Sequence, residues 1–250
     1  MHFRIFPSIL ILACAAATAA HLCHAQSESV TLRFVSFPRI ADPQSVELLV
    51  GEGKILKIEI PSNELSAPYQ VKRLAIWAVG KSGEDKEGKP KFNVYGKAKA
   101  LSSSKQLLLL VRKGATDADG FRIIPFDNRA TQFGSRKFLF LNATRIDIAG
   151  EVGAQKFTLK SGRHTIIRPV ADQGKNLCHA TFFYRKEKAW KSFFSSNWPL
   201  RDNARGLIFF YHDPRTSRLK IHSIQIEEHT SELQSRTNLV CRLLLEKKNN

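Results

Sequence analysis

From Val30 the chain alternates. Val30, Leu32 and Phe34 are apolar, Thr31 and Arg33 between them are polar, and the same period of two returns in short runs along most of the sequence. Successive side chains of a strand point to opposite faces of its sheet, so this spacing buries one face and wets the other. A helix would need apolar residues every three to four positions, and no window of helical length sustains that stripe. The sequence therefore predicts an all-β fold, with a single helical turn expected near 61–65.

Strands are expected at 30–37, 46–50, 54–60, 71–79, 92–98, 107–112 and 121–125, and again at 138–142, 147–151, 156–159, 164–168, 178–184, 207–211 and 219–224. Gly51 with Gly53, Ser82-Gly83, Gly88-Lys89-Pro90, Asp119-Gly120, Ser161-Gly162 and Asp213-Pro214 punctuate them with residues that tolerate or fix turn dihedrals.

The two sets resemble each other at an offset of about a hundred residues. Val50-Gly51-Glu52-Gly53-Lys54-Ile55 lies over Val152-Gly153-Ala154-Gln155-Lys156-Phe157, and the near-continuous apolar run 107–112 lies over 207–212. A polar turn follows each run, and then Phe121-Arg122-Ile123-Ile124 or Leu219-Lys220-Ile221-His222. This order predicts an internal repeat: two similar antiparallel β-sandwich-like units of immunoglobulin-like (Ig-like) strand count in tandem, at 26–128 and 129–226.

Both ends read differently from this repeat. Residues 1–25 form a short cationic start, an apolar run and small residues before Gln26, the pattern of a cleaved signal peptide. An alternative reading of the same segment is lipid attachment at Cys14, which would make the protein a lipoprotein. At the other end, 227–235 and 238–246 can be encoded by the two fixed blocks of a common short-read sequencing adapter, so 227–250 is expected to be a translated artefact. The mature chain has no apolar run long enough for a transmembrane span. An exported protein is expected, periplasmic, on the cell surface or extracellular.

Within 26–226 the one cysteine is Cys178, so the fold contains no disulfide, and its apolar neighbours make Cys178 a buried small hydrophobe. The formal charge of +17 is hardly altered by trimming, because Glu227, Glu228, Glu232 and Glu246 balance Arg236, Arg242, Lys247 and Lys248. Such a surface attracts polyanions: acidic glycans, phosphate-bearing envelope polymers or extracellular DNA. No specific nucleic-acid motif accompanies the charge.

Motifs of chemistry are sparse. The chain has no phosphate-binding glycine loop, no HExxH, no GxSxG and no paired-cysteine zinc spacing, and neither a catalytic residue, a metal nor a cofactor is implied. His212-Asp213-Pro214 reads as a capping turn, and Asp117 with Asp119 lacks the glutamate that a calcium loop requires. The second unit, however, holds ten aromatics between Phe182 and Tyr211, interleaved with cations. Rings beside cations suit sugar rings and acidic groups. Trp190, Trp198, Lys188, Lys191 and Arg201 are the candidate ligand-binding residues, with Trp198 expected in an exposed loop; core filling is the competing use of the same rings.

These features favour a non-catalytic binding or structural module of the bacterial envelope or extracellular space, with an envelope protein as partner. The alternative is a glycan- or polyanion-binding module using the aromatic and basic residues of the second unit. An enzyme built around His212 and Asp213 would lack any recognisable constellation.

Overall fold

The computed structural model describes residues 29–37, 44–51, 53–113, 120–170, 176–213 and 216–227. The expected leader with Cys14, residues 228–250 of the expected adapter tail, and Asp117 with Asp119 lie outside the described residues.

The described chain is nearly all β. Its first eight strands are β1 (Ser29–Phe37), β2 (Gln44–Leu49), β3 (Ile55–Ile60), β4 (Tyr69–Lys72), β5 (Ile76–Glu84), β6 (Pro90–Lys99), β7 (Lys105–Arg112) and β8 (Phe121–Asp127). One short helix, α1 (Ala130–Phe133), leads to β9 (Phe138–Asn142), β10 (Ile148–Val152), β11 (Gln155–Leu159), β12 (His164–Ile167), β13 (Leu177–Lys186), β14 (Ala189–Pro199), β15 (Ala204–His212) and β16 (Leu219–Glu227).

They form four sheets of four strands, in the orders β4-β1-β7-β8, β3-β2-β5-β6, β12-β9-β15-β16 and β11-β10-β13-β14. Adding eight to each strand number of the first two orders gives the last two. Even the parallel pair recurs: β1 runs parallel to β7 and β9 to β15, whereas all other pairs are antiparallel.

Three cores separate the four sheets. Val30, Leu32, Phe34, Leu108 and Leu110 meet Leu48, Ile58, Trp77 and Val79 in the first, and Phe140, Ile208 and Phe210 meet Ile148, Ala180 and Phe182 in the third. Between them lies a second core in which Val35, Phe37, Leu107, Leu109 and Phe126 meet Leu139, Leu141, Leu207, Phe209 and Ile224. The β4-β1-β7-β8 and β12-β9-β15-β16 sheets are thus inner layers, apolar on both faces, and the other two are outer layers.

This explains why the runs 107–110 and 207–210 do not alternate. Every side chain in them is buried, even-numbered residues facing an outer sheet and odd-numbered ones the opposite inner sheet. Alternation survives where one face remains open, as at Thr31 and Arg33 in β1, which are only half-buried.

Four sequence expectations change. The run expected at 71–79 is two strands, because the chain leaves the inner sheet after Lys72 and enters the outer sheet at Ile76. Arg73 fixes the crossing, donating from Nη1 to Leu101 O at 2.8 Å and from Nη2 to Ser103 O at 3.3 Å. The strand β14 was not expected at all; it gives the second set eight strands rather than seven, as the division of 71–79 does the first. The turn near 61–65 is not helical; Ser62 and Ser66 instead bond to Ser36 Oγ (2.9 Å) and Phe34 N (2.9 Å) of β1. The one helix lies at Ala130–Phe133 instead. Finally, the ungapped match of Val50 with Val152 slips by one residue beyond the turn: Val50 N donates to Lys54 O, while Val152 pairs with Gln155.

Buried polar groups are matched across the repeat. Ser36 lies beside Leu110 and Asn142 beside Phe210, the same register position, and each donates to the carbonyl that ends the third strand of its set, Ile60 O at 3.2 Å and Leu159 O at 2.9 Å. Gln106, fully buried, accepts from Trp77 Nε1 at 2.9 Å and donates to Leu101 O and Ser103 O, which leaves no orphaned indole proton in the first core.

Candidate functional site

The candidate residues fall into two groups. Trp190, Lys188 and Lys191 belong to the β13–β14 hairpin end, where the Arg185 guanidinium lies 5.9 Å from the centre of the Trp190 ring. Trp198 and Arg201 belong to the opposite end of β14. Trp198 lies eight positions along the strand from Trp190, about 26 Å at 3.3 Å per residue, so a single small ligand does not touch both.

Trp198 is also not in a loop. It lies in β14 opposite Cys178 and packs in the third core, its ring centre 5.8 Å from Phe138, 6.3 Å from Phe140, 5.4 Å from Phe182 and 6.1 Å from Phe194. Most of the aromatic concentration is consumed this way. Gly150 of β10 makes room for it, since a Cβ there would come within 2.3 Å of the Phe157 ring and 2.9 Å of Phe182.

Trp198 nevertheless lines a cavity of about 150 Å³ together with Phe138, Gly206 and Ile208 and with Arg136, Arg201 and Arg205. The loop before β9 is laced to β15 by Arg136 N to Ala204 O (2.7 Å) and Gly206 N to Lys137 O (3.0 Å), which fixes two of the three arginines relative to one another. Arg205 is nearly buried; its Nη1 donates to Phe133 O and its guanidinium lies 4.6 Å from the Phe133 ring centre. Arg136 pairs with Asp202 (2.9 Å) and Arg201 with Glu227 (3.2 Å). Arg201 and Glu227 are both about half-exposed, and such pairs are worth little, so an incoming carboxylate can replace Glu227 at small cost. The volume is well below the 300–1,000 Å³ or so of a drug-sized or cofactor site.

The histidines of the contact between the two sets are structural. His164 meets Phe126 edge-on at 4.8 Å, and His222 lies beside both Phe37 and Phe209 with Nε2 3.3 Å from Ser62 O. Asp213, with His212 in the third expected class, accepts from Lys220 Nζ and from Thr216 N at 3.3 Å, closing the β15–β16 turn as its sequence suggested.

A third cluster was missed by the sequence reading. On the outward face of the β11-β10-β13-β14 sheet, His179 Nδ1 is 2.8 Å from Asn197 Oδ1, its Nε2 is 2.9 Å from Ser195 Oγ, and Ser195 Oγ is 3.2 Å from Thr181 Oγ1. The residues are distant in sequence, and only the unexpected strand β14 brings them together. Among the described residues no group of three or more His, Cys, Asp or Glu side chains is placed to hold a metal ion, and no helix is long and apolar enough to cross a membrane.

No protein-family model matches the chain, and no curated protein matches it significantly.

Proposed function

We propose that this is an exported binding protein of the bacterial envelope or extracellular space, made of two tandem Ig-like units, whose second unit binds acidic glycans. The observation that carries the reading is the cavity beside Trp198, where Arg136 and the half-exposed Arg201 meet the apolar Phe138 and Ile208. A uronate fits this chemistry: its carboxylate bonds the arginines, and the apolar face of its ring lies against Trp198 and Phe138. The overall charge of +17 draws such polymers in, and the basic Trp190 hairpin can follow the chain outside the cavity.

Tryptophan fluorescence of Trp190→Phe protein, titrated with an oligouronate and with its neutral counterpart, tests the reading. The oligouronate alone should change the emission. Arg201→Ala should weaken binding about tenfold, the loss of one charge-assisted hydrogen bond of ~1.5 kcal/mol. Equal binding of the neutral sugar, or an unaltered affinity in Arg201→Ala, defeats it. The second reading, an envelope protein as partner, is favoured by the open edge of β14, eleven residues long and mostly exposed.

A further inference from the structure

The outward face of the β11-β10-β13-β14 sheet has no part in glycan binding at the cavity, yet it presents a hydroxyl, an imidazole and a carboxamide in serial contact. Ser195 and Asn197 stand two residues apart on β14 and so share a face, and His179 lies directly opposite Asn197 on β13. The Asn197 Oδ1 at 2.8 Å can only accept, so His179 Nδ1 holds the imidazole proton. That leaves Nε2 as the lone-pair nitrogen, 2.9 Å from Ser195 Oγ, placed to accept the hydroxyl proton. Thr181 Oγ1, at 3.2 Å from the same oxygen, supplies a donor on the adjoining side. Next along the face, Glu151 is paired with Thr181 across β10 and β13, and its charge is matched by Lys156 Nζ at 3.3 Å. Glu151 and Lys156, with Ala149, Thr158 and Phe183, line a shallow hollow of about 400 Å³ in which Ala149 and Phe183 offer apolar surface to a small acyl group.

We propose that Ser195 is a nucleophile served by His179, and that this face transfers the acyl group of activated esters. Ser195 Oγ attacks the ester carbonyl carbon as its proton passes to His179 Nε2. The tetrahedral oxyanion collapses, the carbon–oxygen bond to the leaving alcohol breaks, and that alcohol takes the proton from Nε2. Water then attacks the acyl-serine, gives its proton to Nε2, and releases the carboxylic acid as Ser195 recovers its hydrogen. Asn197 is a positioning residue: its oxygen keeps the imidazole in the productive tautomer. The backbone N–H groups of β13 facing β14 are spent in the ladder, so Thr181 is the nearest donor for the oxyanion. That restricts the chemistry to esters with good leaving groups, such as phenolates, and excludes amides.

Cross-strand polar contacts also arise simply because they stabilise a sheet, and the test separates the two roles. The full chain is treated with a fluorophosphonate probe, in which the Ser195 Oγ–P bond forms as the P–F bond breaks, fluoride leaves and the proton goes to His179. Adduct formation is followed by intact mass and located by peptide mapping. The expected result is one adduct at Ser195, absent in Ser195→Ala. It should form about a hundredfold more slowly in His179→Ala, the contribution typical of a general base, and be partly restored by added imidazole. Asn197→Asp should keep most of the rate and Asn197→Leu should lose it, with unfolding midpoints of all variants close to the parent. Lys97→Ala, an exposed change on β6 of the first set, should react as the parent does. No adduct, an adduct spread over other side chains, or a His179→Ala rate equal to that of the parent overturns the proposal.

Discussion

The first core is mainly aliphatic, with Phe34, Phe121 and the Trp77 indole among its leucines, isoleucines and valines, whereas the third is a connected cluster of rings in which Phe140 and Phe182 touch Phe157, Trp198 and Phe210, and Phe182 also touches Phe194. Both fill the same strand order. What the two sets share is therefore neither core volume nor chemistry but the inner strands, which are apolar on both faces and meet in the second core. The difference is concentrated in the outer layer. Around Trp77 the polar requirement is met by one glutamine, while the aromatic third core leaves the edge of Trp198 on a cavity and sends its polar residues outward to the face of Ser195. Identical topology thus leaves the outer sheets of the two sets free to differ in side-chain chemistry.

The largest effect should come from the shared core. Phe209→Ala removes a fully buried ring in contact with Phe37 at 5.1 Å and should cost about 3–5 kcal/mol, lowering the stability of both sets together. Chemical denaturation followed by fluorescence in the Trp190→Phe background, against near-ultraviolet circular dichroism, should give coincident transitions; separate transitions would show that the inner sheets do not couple the two sets.

Next come the matched polar residues. Asn142 donates to Ile146 O and Leu159 O and accepts from Thr144 N and Oγ1, so Asn142→Ala should cost about 1–3 kcal/mol by stranding buried partners. Ser36→Ala, at the same register position, removes a smaller network and should cost about 1 kcal/mol. Equal losses in urea melts would remove this distinction between the sets.

The smallest effect expected is a pH dependence at their contact. Burial, with Arg163 adding to it, holds His164 below the ordinary imidazole range. The unfolded chain then takes up this proton at a higher pH than the folded chain. Stability from this group is complete above about pH 6.5 and declines as pH falls from there toward the lowered folded value. Thermal midpoints measured from pH 8 to pH 5 should fall in the parent and fall less in His164→Asn; parallel curves would contradict it.

Much of the strand pattern was legible, but legibility tracked burial. β9 was read to the residue because its bounds coincide with an apolar block, and the offset of a hundred residues aligned Phe121 with Leu219, which pair with Arg112 and His212 at equivalent ladder ends. β14 escaped because it is a twisted edge strand whose partner register shifts at Phe182/Phe183, so apolar and polar residues do not alternate along it. Missing it placed Trp198 in a loop and concealed the approach of His179 to Ser195.

Local alternation, turn residues and the repeated order are properties of neighbouring residues, and from these the chain alone determined its all-β class, most of its strands and the correspondence of its two sets. Which face of each inner strand meets which sheet depends on residues a hundred positions apart. So does the packing of Phe37 on Phe209. Those relations are decided only when two doubly apolar sheets close on each other, because burying their second faces is a gain that no single strand's sequence records.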